Sequence, residues 1–273
     1  MPVNEAQRKQ WSNPEMVANW ERREPLLARV SRHVLSAALL QSGEKVLEVG
    51  SGGGKLALLA ARQVSSRGRV TGADISHGMV ELATTRAAAA KAKNVSFVVV
   101  DCQADNIPGG PFDVAISQFG VMFFEDPVAA FANIRGHLKR GARLAFACWQ
   151  PVSRNTWYPG PVVAPFVAAS LAPASATADT TPGPFAFGDP GYVRGILQEA
   201  GFMGIDRVAK TVTARISRDA VVANALMGAV IPPERLAEAM AAVEEHYAQM
   251  RIPETDLYRF ELRIQVFTAN SQG

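Results

Sequence analysis

The chain is poor in the residues that staple a fold or anchor it in lipid. It holds two cysteines, Cys102 and Cys148, both at the ends of expected strands, so no disulfide framework is indicated. Long apolar runs are missing as well: the longest, such as 114–124, are interrupted by polar residues and fall far short of the ~20 that a spanning helix needs. The N-terminus, with Asn4, Glu5, Arg8 and Lys9, lacks the apolar centre of a signal peptide. There is no excess of one charge in one place. The 28 Lys and Arg are scattered among 25 Asp and Glu, and the net charge of +3 forms no basic stripe, so no nucleic-acid footprint is read. A cytoplasmic protein with no membrane or nucleic-acid partner is the default expectation.

What is present is core. Of 273 residues, 48% are hydrophobic and 19% charged, as in a soluble globular protein, and the length suits one large domain or a domain with a cap. The stretch that organises it is Lys45-Val46-Leu47-Glu48-Val49-Gly50-Ser51-Gly52-Gly53-Gly54-Lys55. An aliphatic run, an acid and four closely spaced glycines read as a buried strand ending in a loop that lets a ligand touch backbone. Residues 56–64 continue with apolar side chains at helical spacing. Strand, glycine loop and helix open a nucleotide-binding βαβ unit, with helix N-terminal amides facing the ligand.

Which nucleotide is a separate question. Walker A is excluded, because Val49 stands where its first glycine belongs and Leu56 replaces Ser/Thr. The dinucleotide fingerprint survives, since 52–57 fits G-x-G-x-x-A and Asp74 follows about 20 residues on. Spacing alone leaves an NAD-dependent oxidoreductase open.

The register Glu48-x-Gly50-x-Gly52-x-Gly54 resembles the first motif of class I S-adenosylmethionine-dependent methyltransferases, in particular the small-molecule enzymes of the type 11/25, ubiquinone-biosynthesis-like group. The resemblance implies S-adenosylmethionine as cofactor and S-adenosylhomocysteine as product. It also implies that Glu48 orders the amino end of the cofactor, with Gly50, Ser51, Gly52 and Gly54 under its methionine part. The segment 74–83 is similar to the family's second motif: Asp74 would hold the ribose, while Ile75 and Met79 would flank adenine. The apolar run 95–100, read as a strand buried on both faces, ends in Asp101 and Cys102. These would meet the adenine amino group and, by backbone, its ring. The strand ending at Ser117, Gln118 and Phe119 resembles motif IV, whose end faces the methyl group. No Asn-Pro-Pro-Tyr or Pro-Cys follows it, and no Asp-Asn pair follows the expected fifth strand at 144–149. By that comparison, amine methylation of DNA or protein glutamine, cytosine C5 methylation and magnesium dependence are not expected, and no metal is predicted.

The remaining segments organise around this core. Residues 1–41 form an expected N-terminal helical lid, with an amphipathic helix over 25–40 and two tryptophans upstream. In enzymes of the family such a segment folds over the sulfonium, so Trp11 and Trp20 are candidates for that cover; packing onto the sheet is the plainer alternative. The core runs over 42–150. A helix over 127–139 is expected, with Pro127 at its first position and Gly141 beyond its end, and His137 suits a helix C-terminus. Residues 151–189, rich in proline, alanine and threonine, read as a cap insertion or a linker. Residues 190–273 complete the sheet with strands at 208–216 and 257–268, around a helical insertion at about 218–252.

The fold expected is α/β: a Rossmann-like, doubly wound, seven-stranded sheet whose last strand is antiparallel, with helical cap insertions. Phe119, Met122, Phe123, Trp149, Trp157 and Tyr158, with Trp11 and Gln118, would line a pocket for a small, largely apolar acceptor. O-methylation of a phenolic or polyketide-like natural product is the leading expectation, with N- or C-methylation and a catalytically silent nucleotide-binding protein as alternatives. No catalytic residue stands out; His77, Tyr158 and His246 are the candidates for a base. A monomer or homodimer is expected.

Overall fold

A computed structural model describes residues 4–18, 20, 24, 27–167, 180–226 and 231–272. A short N-terminal group of helices, α1 (Glu5–Trp11), α2 (Pro14–Ala18) and α3 (Ser31–Ala38), precedes the sheet. Then β1 (Lys45–Val49), α4 (Lys55–Val64), β2 (Arg69–Asp74), α5 (His77–Ala89), β3 (Val95–Val99) and β4 (Phe112–Gln118) alternate. They are followed by α6 (Pro127–Gly136), β5 (Leu138–Trp149), α7 (Gly160–Val163), α8 (Pro190–Glu199), β6 (Phe202–Ser217), α9 (Arg218–Ala225), α10 (Leu236–Tyr247) and β7 (Leu257–Ser271). The sheet has seven strands in the order β3-β2-β1-β4-β5-β7-β6, and β7 alone runs against its neighbours. It is the doubly wound, Rossmann-like arrangement with an antiparallel last strand.

Local chemistry accounts for the elements. In α4 the residues Leu56, Ala57, Ala60, Ala61 and Val64 recur on one face and are all buried. Ser76 caps α5, its hydroxyl accepting from Met79 N at 3.3 Å, and Asp126 caps α6 by accepting from Ala129 N at 2.9 Å. Pro127 stands at the first turn of α6, where it has no hydrogen bond to forfeit. A cluster of rings closes the far half of the core: Phe131 lies 5.5 Å from Phe146, which stacks on Phe267 at 5.3 Å. Each of these buried rings contributes about 1.5–3 kcal/mol by area.

Several boundaries differ from the sequence reading. The first long helix is the shorter α3; Pro25, expected in its first turn, lies outside the described residues. Helix α6 stops at Gly136, because His137 closes it: Nδ1 meets Asn133 O at 2.9 Å and Nε2 accepts from Ile107 N at 3.0 Å. Gly141, read as a helix terminator, is instead a positive-φ kink inside β5, where pairing with β4 jumps between Phe112 and Val114. β3 is an edge strand rather than one buried on both faces, and Val99 is 41% exposed. β6 begins at Phe202, ahead of the alternation visible from 208. Most of the low-complexity centre of the insertion, 168–179, lies outside the described residues. Its returning limb is tied to the sheet by the buried Gln265, whose Nε2 donates to Phe187 O at 2.6 Å and Gly188 O at 3.2 Å.

Candidate active site

The parallel strands end along one edge of the sheet, and the glycine loop is the first thing built there. Gly50 N and Ser51 N continue the ladder onto Ala73 O at 2.8 and 3.0 Å. At Gly50, φ is +67°, and a Cβ would lie 2.8 Å from Gly120 Cα, so the loops after β1 and β4 cross at two glycines. Gly52, at φ +48°, donates its N–H to Asp74 Oδ2 at 2.8 Å, while Asp74 Oδ1 accepts from Ser76 N at 2.9 Å. Asp74 therefore joins the glycine loop to the start of α5, and the cap of that helix is Ser76, not Asp74.

The N-terminal segment closes over this edge. The side chain of Trp20 fills the space that a Cβ on Gly52 would enter, 2.8 Å away. Trp11 meets Trp20 edge-on at 6.4 Å and Phe123 at 5.0 Å, and its carbonyl accepts from Ser76 Oγ at 2.8 Å. Asn4 Nδ2 donates to both oxygens of Asp101, at 2.9 and 3.0 Å, and its Oδ1 accepts from Glu125 N at 3.1 Å. Gln118 holds the segment from the sheet side, donating to Leu27 O at 3.0 Å and accepting from Ser31 Oγ at 2.7 Å.

Under this cover lies a cavity of about 640 Å³. Its two halves differ in chemistry. One holds the buried carboxylates Glu48, Asp74 and Asp101 with Gly50, Ser51 and Gly52. Burial pushes Glu48 well above the usual carboxylate range, against the Ala57 N–H that favours its anion, and the charges of Asp74 and Glu24 raise it further. Asp74 is raised by burial too, moderated by the amides of Ser76, Gly52 and Ile75. Burial first, then the charges of Asp74, Asp101 and Asp105, push the Cys102 thiol up, which disfavours the thiolate.

The other half is an aromatic wall without charge among its described residues. Phe119, itself at φ +66°, stacks on Trp149 at 4.1 Å, and Trp149 meets Trp157 at 4.7 Å. Tyr158, Val163, Ile216, Val221, Tyr247 and Phe260 complete it, drawn from the insertion after β5 and from the β6–β7 unit. The Tyr247 hydroxyl donates to Trp157 O. Burial raises the Tyr158 phenol.

Of the residues singled out by sequence, Glu48, Gly50, Ser51, Gly52, Asp74, Ile75, Met79, Asp101, Cys102 and Trp20 line one cavity together with Trp11, Gln118, Phe119, Met122, Phe123, Trp149, Trp157 and Tyr158. Two lie elsewhere. Ser117, fully buried, spends its hydroxyl on Val49 O at 2.7 Å, bolting β4 to β1. Gly54 starts α4, and its missing Cβ makes room for Phe97 and Ala83 rather than a ligand. His77 is the first residue of α5 and His246 reaches Thr156 O at 3.3 Å; neither lines the cavity. The sequence reading missed Asn4, Glu24, Tyr247 and Phe260. The alternation of Tyr258, Phe260, Leu262 and Ile264 is a signal from which Phe260 can be found, but Asn4 lies 97 positions from its partner and carries no local signal.

A protein-family model described as a methyltransferase domain matches residues 46–141. Nocamycin O-methyltransferase from Saccharothrix syringae is 31% identical over 73% of this chain and 72% of its own length. Aklanonic acid methyltransferase DauC from Streptomyces sp. is 36% identical over 43% of this chain, and the match spans about half, 53%, of that relative. Among solved structures, the [4+2]-cyclase SpnF superposes with a TM-score of 0.62 at 20% identity, covering 99% of this chain and 97% of the other, which speaks to the fold alone.

Proposed function

Because the chain belongs to the class I S-adenosylmethionine-dependent methyltransferases, we propose that it methylates an oxygen of a small, largely apolar acceptor, a phenolic or polyketide-like natural product. The observation that carries the reading is the uncharged aromatic half of the cavity, which adjoins the carboxylate half at Phe119. Two relatives named for aklanonic acid and nocamycin support the substrate class.

The cofactor of this family, S-adenosylmethionine, suits the residues present. Glu48 Oε2, Ser51 Oγ and Trp20 Nε1 are buried, have no hydrogen-bond partner among the described residues and belong to residues of the cavity lining. Leaving such groups unpaired costs about 1–3 kcal/mol each, and a ligand bearing an ammonium and a carboxylate offers the complementary groups. We assign Glu48, Ser51 and Trp20 to that polar end. Asp74 accepts from Gly52 N on one oxygen and Ser76 N on the other, with the Ile75 amide also favouring its anion, and a carboxylate's four acceptor sites leave capacity for a ribose hydroxyl. The two oxygens of Asp101 already accept from Asn4 Nδ2 and Gln103 N, leaving room for little beyond one exocyclic amine.

When bound, the cofactor supplies an electrophilic methyl group on a sulfonium. The chain's part is to orient and to exclude water. Trp20, Trp11 and Phe123 cover the loop edge, and the Phe119–Trp149–Trp157 wall offers ring faces on which a flat acceptor lies. Among the described residues the aromatic half holds no carboxylate or imidazole, and the Tyr158 phenol, raised further by burial, is protonated at neutral pH. The acceptor therefore brings an acidic hydroxyl of its own. Incubation with S-adenosylmethionine and the phenol alizarin, followed by mass spectrometry, tests the reading. A gain of one methylene, located on oxygen, is expected; transfer to an aminoanthraquinone nitrogen with none to alizarin would overturn it.

A further inference from the structure

The insertion after β5 carries more than apolar lining. Asn155, buried at 1% exposure, fixes it: Nδ2 donates to Gln150 O at 3.0 Å and Arg263 O at 3.1 Å, while Oδ1 accepts from Arg263 N at 2.9 Å and Trp157 Nε1 at 2.7 Å. Tyr158 follows directly, its N–H on Asn155 O at 2.9 Å, its ring edge-on to Phe185 at 4.8 Å. The phenol end lies against the backbone of Gly160, where a Cβ would come within 2.6 Å of Cζ and 2.8 Å of the hydroxyl. The ring is thus held from three sides before any ligand arrives.

Its hydroxyl has no hydrogen-bond partner among the described residues, whereas neighbouring donors are spent. Ser31 and Gln118 are bonded to each other or to Leu27, Trp157 to Asn155, and Tyr247 to Trp157. The indole N–H of Trp149 is also untaken, but that ring is 5% exposed and sandwiched between Phe119 and Trp157. Tyr158 is half-buried and lines the cavity.

We propose that Tyr158 is a specificity-determining donor: its neutral hydroxyl hydrogen-bonds a carbonyl oxygen of the acceptor and so selects flat quinone- or ketone-bearing molecules over hydrocarbons of the same shape. This rests on the apolar-acceptor reading above and adds a polar requirement to it. Because burial keeps the phenol protonated, the role is donation and not proton removal. An already pre-positioned donor gains a factor of about three to ten for a neutral hydrogen bond.

The test is fluorescence titration of the full chain, saturated with S-adenosylhomocysteine, against anthraquinone and anthracene, which share a shape and differ in carbonyls. Wild type is expected to favour anthraquinone. Tyr158→Phe should weaken anthraquinone about three- to tenfold and leave anthracene unchanged, and Gly160→Ala, whose Cβ displaces the ring together with its hydroxyl, should weaken anthraquinone more than anthracene. Their double variant should be no worse than either alone. An equal loss for both probes, no loss for either, or a preference removed by Trp149→Phe instead would overturn the assignment. Failure of the wild type to bind either probe would sink the apolar-acceptor reading, and this role with it; a wild type that binds both equally would sink this role alone.

Discussion

Glu48 is a carboxylate placed where the free protein least tolerates its charge, and Glu48→Gln exposes that cost. The residue is 2% exposed, Oε2 has no partner among the described residues, and the two other acids that act on it, Asp74 and Glu24, repel its anion. Its folded pKa is raised above the ordinary 4.5. An acid raised on folding is ionised more easily in the unfolded chain, so the wild type loses stability as pH climbs from about 4.5 toward the folded value, then levels off. Across that window the penalty grows by up to about 1.4 kcal/mol per pH unit. The glutamine variant is isosteric and has no such window. In urea unfolding without cofactor, the two proteins should coincide near pH 4 and diverge above it, the variant being the more stable at pH 7. Cofactor binding should move oppositely: loss of a charge-assisted hydrogen bond worth about 1.5–3 kcal/mol predicts at least tenfold weaker S-adenosylmethionine in calorimetric titration. Parallel stability curves across the pH range, or a variant less stable than wild type at pH 7, would refute the reasoning.

Other positions make separate claims. Asp74→Ala removes the acceptor of both Gly52 N and Ser76 N and should weaken S-adenosylmethionine more than tenfold in the same titration, with a modest fall in melting temperature. Gly50→Ala pairs a left-handed φ with a Cβ 2.8 Å from Gly120 Cα; about 1–3 kcal/mol of lost stability is expected, read by chemical denaturation. Ser117→Ala should cost about 1 kcal/mol through its lost bond to Val49 O, while cofactor affinity stays as it was; a selective loss of affinity would return the hydroxyl to the binding site. Asn4→Ala should speed hydrogen exchange at the Glu125 amide, which loses its acceptor.

How much of this was legible follows from the range of each signal. Strands β1, β2 and β4 were written as short aliphatic runs closed by glycine or an acid, because strands at the middle of a parallel sheet must be apolar and their ends must turn. The carboxylates were legible for the same reason: each stands at or just past a strand terminus. The end of α6 was not, since Gly136, His137 and Gly141 all offer a stop, and only the contact between His137 and Ile107 chooses among them. Nor was the edge position of β3, because an apolar run does not say which neighbour is absent. Ser117 reads as a ligand residue from its place at a strand's carboxyl end, yet Val49 O on the adjacent strand, 2.7 Å away, takes its hydroxyl. Asn4 depends on a segment folding back across the sheet, and that information sits in neither partner alone.

The placement of β7 has a bearing on how the protein is made. It is synthesised after β6 yet lies between β6 and β5, so while a ribosome is still translating residues 257–271 the nascent chain can hold β1 through β5 paired with β5's outer edge bare. That edge carries Leu144, Phe146 and Cys148, all fully or nearly fully buried in the finished sheet. Ile216 and Phe260, which belong to the acceptor wall, reach it only when β7 docks. The glycine loop and its carboxylates can thus take shape during translation, whereas the aromatic half of the cavity is a late product.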